Sequence, residues 1–243
     1  MIHATDYQGE SSIMERTSMV ERVNLSWSGG KDSALAFREL SRDPRYEVRS
    51  LLTTVTEGYD RISMHGVRIS LLDRQAKALG LPLVKVPIPQ AADNEQYESR
   101  MREVLARERA SGVTTVAFGD IFLEDIRRYR EEKLSQVGMK VIFPIWKRDT
   151  RELALEFINA DFRAILTCVD TKQLDGSFVG RTFDRSLLRD LPSGVDPCGE
   201  NGEFHTFVYA GPIFNQSIPV HKGETVLREN RFYYCDLLSD TEE

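Results

Sequence analysis

Short apolar runs alternate with amphipathic stretches from residue 23 to about 170, and few folds accept that alternation. The runs at 23–28, 46–56, 83–88, 114–118, 141–145 and 164–169 are rich in Val, Ile, Leu and Thr and read as strands. Helix signals lie between them. Asp93-x-x-Gln96 and Asp149-x-x-Glu152 are capping patterns, and Gly80 stands where a helix end favours a left-handed residue. Tyr97, Met101, Val104 and Leu105 recur at helical spacing. The pattern predicts an α/β fold: a Rossmann-like, mostly parallel sheet of five to six strands with helices on both faces. After Asp170 the alternation gives way to closely spaced glycines and short strands, so a small C-terminal α+β subdomain is expected over 171–243. Residues 1–22 are polar, and Asp6, Glu10, Glu15 and Glu21 interrupt any apolar core, which predicts a flexible tail rather than a signal peptide.

The first strand runs through Ser28-Gly29-Gly30-Lys31-Asp32-Ser33 into a helix. Glycines let backbone approach a ligand closely, and the helix start offers unpaired N–H groups and a positive dipole end. With two hydroxyls and a lysine, this is an anion site of phosphate size. It is not a Walker A loop, because Leu25 occupies the first glycine position and Asp32 follows the lysine. Ligands of open parallel sheets lie beyond the strand carboxyl ends. That rule gathers residues 28–33, Thr53 and Thr54, the loop to His65, Gly119-Asp120 and Cys168-Val169-Asp170 on one rim.

Two further stretches carry chemistry. Gly194 to Phe207 holds Cys198-Gly199-Glu200-Asn201-Gly202-Glu203 and then His205. A solvated glycine-rich hairpin would explain the composition. A nucleophilic Cys198 and a His205 general base are the chemical alternatives. The run from Gly119 through Glu124, Arg127 and Arg130 reads as an exposed helix laced by pairs such as Glu124–Arg128. That does not explain why its charges start at the rim.

A net charge of −6 weighs against a nucleic-acid partner, and no apolar run reaches membrane-spanning length. Three cysteines without C-x-x-C spacing argue against a disulfide framework or zinc site and point to a reducing cytoplasm.

The loop string resembles that of the N-type ATP pyrophosphatases, a HUP-type fold. Together, that loop, Gly119-Asp120 with the Arg-Arg-Tyr-Arg run, and Cys-Gly-Glu-Asn-Gly-Glu-Phe-His-Thr-Phe resemble the diphthine–ammonia ligase family, in its short, bacterial-type branch, over about residues 23–215. The resemblance implies ATP and Mg²⁺ as cofactors. It also implies a small-molecule or protein carboxylate substrate with an amine donor, and an AMP-forming ligase reaction. ATP would contact Ser28, Gly29, Gly30, Lys31, Asp32, Ser33, Thr53, Thr54, His65, Gly119 and Asp120 in an ATP-binding domain over 23–170. Lys31, Asp32 and Ser33 would serve catalysis, with Asp32 toward the metal. Glu124, Arg127, Arg130, Cys198, Gly199, Glu200, Asn201, Gly202, Glu203 and His205 would face the acceptor. A tRNA-modifying relative and a non-catalytic ATP sensor of the universal-stress type stay open as alternatives, as does a homodimer.

Overall fold

The computed structural model describes residues 20–59, 61–62 and 66–239. Nearly all of the expected tail, and His65, lie outside them. Five strands form the first sheet: β1 (Glu21–Ser26), β2 (Tyr46–Thr56), β3 (Leu83–Ile88), β4 (Thr115–Ala117) and β5 (Lys140–Ile142). Their order is β3-β2-β1-β4-β5, and every pairing is parallel. The chain winds outward in one direction from β1 to β3 and in the other from β4 to β5. The switch between β1 and β4 opens a crevice at the strand carboxyl ends, where such sheets bind ligands.

Helices α1 (Lys31–Arg42) and α2 (Ile69–Leu79) pack into the larger core, which also takes in α5 (Thr150–Asn159). On the opposite face α3 (Asn94–Ala110) and α4 (Glu124–Gln136) cover a smaller core of residues such as Leu52, Leu105, Phe118 and Leu134. The local signals act as read. The Asp93 carboxylate accepts from Gln96 N at 2.8 Å and the Gln96 side chain accepts from Asp93 N at 3.2 Å. Asp149 caps α5 by accepting from Glu152 N. Gly80 ends α2 at φ 71°. No helix among the described residues is long and apolar enough to cross a membrane.

The segment expected as a sixth parallel strand belongs elsewhere. It forms β6 (Arg163–Asp170), between β7 (Phe204–Ala210) and β9 (Phe232–Leu238), and β8 (His221–Arg228) pairs with β9. All pairings in this second sheet are antiparallel. A run buried on both faces fits either sheet, so composition could not choose. The end of β6 is therefore absent from the ligand rim. Asp170 instead pairs with Arg231 at 2.6 Å. A short helix, α6 (Arg185–Asp190), completes the C-terminal part.

The two sheets meet at the glycine loop. Val208 N donates to the Gly29 carbonyl at 2.9 Å, and Lys31 N donates to Thr206 Oγ1 at 3.1 Å. The outer edge of β7 is thus paired by the loop that leaves β1. A second tie joins β9 to the β2–α2 connection, where Asp236 binds Arg61 at 2.6 Å and Arg68 at 2.9 Å.

Candidate functional site

The loop is shaped by contacts that leave no room for side chains. Gly29 has φ 77°, and a Cβ there would stand 2.6 Å from Leu72 Cδ2. A Cβ on Gly119 would stand 2.9 Å from the backbone carbon and oxygen of Asp32. The end of β4 therefore abuts the start of α1, and only glycine permits the approach. Ser33 Oγ donates to the Gly30 carbonyl at 2.9 Å, and Gly30 N donates to Ser28 Oγ at 3.3 Å.

Gln75, a residue that sequence reasoning missed, holds this loop from behind. Its side chain is fully buried. Oε1 accepts from Trp27 Nε1 at 2.8 Å, while Nε2 donates to the carbonyls of Gly29 at 3.0 Å and Val208 at 2.6 Å. One amide joins β1, the loop and β7. The only available cue was a polar residue among the apolar positions of α2, and a glutamine on a helix ordinarily reads as exposed.

In front of the loop lies a cavity of about 620 Å³. Ser28, Gly30, Lys31, Asp32, Ser33, Thr53, Thr54, Gly119 and Asp120 line it. From the second stretch Gly199, Glu200, Gly202 and His205 line it, and Arg130 joins them from α4. Arg130 pairs with Asp120 at 2.7 Å and stacks over Phe118 at 3.9 Å.

Six described candidates are not among the lining residues, the first being Gly29, whose carbonyl is taken by Gln75 and Val208. Glu124 pairs with Lys147 on the surface, and Arg127 lies over Trp146 while bonding Glu131. The Cys198 thiol is buried and donates to the Thr150 carbonyl at 3.2 Å. Burial pushes that thiol well above its ordinary range, opposite to what a nucleophile needs. Asn201 bonds Glu203, whose buried carboxylate accepts from Asp196 N at 2.9 Å. Glu203 therefore closes its own turn.

The Lys31 ammonium donates to Asp32 Oδ2 at 2.9 Å and to the Cys198 carbonyl. The rings of Phe204 and Phe183 flank it at 5.4 and 5.8 Å. Burial opposes its charge, but Asp32 and the surrounding acids more than offset this and keep it protonated. Lys31 thus ties the phosphate-type loop to the Cys198–Glu203 turn, a contact spanning 167 positions that spacing could not reveal.

Glu200 bridges that turn to the end of β4. Oε1 accepts from Ile121 N at 2.7 Å and Phe122 N at 3.3 Å. Burial pushes its pKa up to about 7 from 4.5, opposed by those N–H groups. His205 is held down at about 4, first by burial and then by Lys31, so it is neutral at pH 7.

The Glu200 shift has a thermodynamic consequence. A carboxyl with a raised folded pKa binds more protons folded than unfolded, so its contribution to stability falls as pH rises from about 4.5 to 7. Glu200→Gln keeps the acceptor oxygen and removes the titration. Its stability relative to wild type should rise by about 1–3 kcal/mol between pH 5 and pH 8, measured by urea unfolding. An unchanging difference across that range would contradict the shift.

Comparison with known proteins matches the two parts of the chain to two parts of one family. The Diphthamide synthase N-terminal domain matches residues 21–141, and the Diphthamide synthase C-terminal domain matches residues 149–238. The diphthine–ammonia ligase of Homo sapiens is 26% identical over 188 residues, covering 70% of this chain and 67% of its own length. That of Mus musculus is 26% identical over 232 residues and covers 85% of each. That of Schizosaccharomyces pombe is 24% identical over 218 residues, 82% of this chain and 36% of its own. The glycine loop comes from the first matched part and the Gly-Glu-Asn-Gly-Glu turn from the second, and with both matched in order this chain belongs to the diphthamide synthase family.

Proposed function

We propose that this protein is an AMP-forming ligase, which adenylates a carboxylate with ATP and passes the acyl group to ammonia or another amine. The observation that carries the reading is the meeting of the glycine loop and the Glu200 turn across one cavity at the switch point of the sheet.

The pyrophosphate end of ATP rests on the N–H groups at the start of α1, with Ser28 and Ser33 as hydroxyl partners. The base lies against Thr53, Thr54 and Gly119. A carboxylate oxygen attacks the α-phosphorus, and the bond to the bridging oxygen breaks to release pyrophosphate. The amine then attacks the acyl carbon, AMP leaves with the bonding pair, and the amine loses a proton. Asp32 Oδ1 is buried without a hydrogen-bond partner. That fits Mg²⁺, which binds through one or two carboxylates plus phosphates, although no group of three His, Cys, Asp or Glu among the described residues is arranged for a metal. When bound, the ion neutralises charge on the leaving pyrophosphate. Lys31 contributes by holding the Glu200 turn beside the loop, and the C-terminal part presents the acceptor. Three free, buried cysteines suit a reducing cytoplasm.

Incubation with ATP, Mg²⁺, ammonium and a panel of carboxylates tests the reading. Carboxylate-dependent release of AMP and pyrophosphate in equal amounts is the expected result. ADP and phosphate would indicate a kinase-like reaction, and bound ATP left intact would indicate a sensor.

A further inference from the structure

The cavity does not end at the rim. It continues between α3 and α4, where Tyr97, Met101 and Leu105 form one wall and Arg130, Leu134 and Val137 the other. Tyr97 to Leu105 spans about 12 Å along a helix axis. Leu52 and Phe118 of the sheet face are among its lining residues.

Folding alone does not account for this arm. α1 buries six of its 12 residues and α2 five of 11, whereas α3 buries two of 17 and α4 one of 13. A helix that covers a sheet ordinarily buries a continuous apolar stripe, and interiors pack without voids. Here the facing sides carry Glu98, Arg102, Arg130 and Lys133, all lining the cavity. Lys133 and Glu98 pair across it at 2.8 Å and join the two helices. Arg102 is exposed and has no ion pair among the described residues. Beside the smaller core the cavity thus has apolar sides and one unspent guanidinium.

We infer that this arm is a binding site for an elongated organic anion with an apolar body, separate from the nucleotide. The inference rests on the ligase reading and gives the class of its acceptor. The reactive carboxylate stays at the rim beside the glycine loop, the alkyl or aryl body lies over Met101, Leu105 and Leu134, and a second anionic group meets Arg102.

The probe is 8-anilinonaphthalene-1-sulfonate, an apolar body with one anionic group, titrated by fluorescence into the whole protein. A parallel titration contains saturating α,β-methylene ATP with Mg²⁺, which cannot release pyrophosphate. One dye should bind per chain with the same affinity in both. Met101→Trp, which fills the arm, should weaken dye binding at least tenfold, and Arg102→Ala about three- to tenfold. Leu105→Phe is the second filling variant if Met101→Trp does not give the wild-type circular dichroism spectrum. Displacement of the dye by the nucleotide analogue would assign the arm to adenosine and overturn the inference. So would absence of dye binding, or binding indifferent to the filling variants. No turnover is needed, so this test can fail while AMP and pyrophosphate release succeeds, and the reverse.

Discussion

Gly119→Val should lower ATP-dependent pyrophosphate release at least 100-fold and weaken nucleotide binding in the same assay. The first atom of any side chain there would lie 2.9 Å from the Asp32 carbonyl carbon and oxygen and 3.1 Å from Ser33 N. These are backbone atoms in the first turn of α1, so no flexible group can move aside. The end of β4 and the start of the helix must separate instead, and a displacement near 1 Å at a positioning element is worth about 100-fold in rate. The strain should also cost about 1–3 kcal/mol of stability. Gly194→Ala is the matched control. A Cβ there meets nothing within 4 Å, so that variant should keep wild-type activity and melting behaviour. Equal activity in the two variants would mean that the contact between β4 and α1 does not shape the site.

The second large effect is on stability. Gln75→Leu keeps the volume of the side chain and removes all of its polar atoms. Trp27 Nε1 and the carbonyls of Gly29 and Val208 then lose the partner that they share. Each buried group left unsatisfied costs about 1–3 kcal/mol, and because the three are neighbours the costs do not add fully. A loss of roughly 3–5 kcal/mol is expected by urea unfolding. Gln75→Glu should be at least as damaging, because it sets a carboxylate against two carbonyl oxygens in the interior. A loss below about 1 kcal/mol for Gln75→Leu would show that water replaces the amide.

These residues mark how far the sequence could be read. The glycine loop was legible because its chemistry is local: two glycines, two hydroxyls and a helix start occupy adjacent positions. Thr53, Thr54, Gly119 and Asp120 were legible because strand ends in a parallel sheet converge by topology. Gln75 and the orientation of Lys31 were not, since their distant partners lie at 208, in the second sheet, and at 198, in the turn before β7. Glu200 and Glu203 look alike as letters. The turn geometry made by Asp196 sends the first to the cavity and folds the second inward. β6 was recognised as a strand but assigned to the wrong neighbours, because a doubly buried strand carries no alternation to show which sheet it joins.

The seam between β7 and the glycine loop bears on how this enzyme family could have been assembled. Expressed by itself, the first part would lose the Val208 N–H from the Gly29 carbonyl and the Cys198 carbonyl from the Lys31 ammonium. The second part alone would carry a bare strand margin, an open template for self-association. Neither half is a portable module, so a recombination that exchanged one of them would have to bring a matching seam with it.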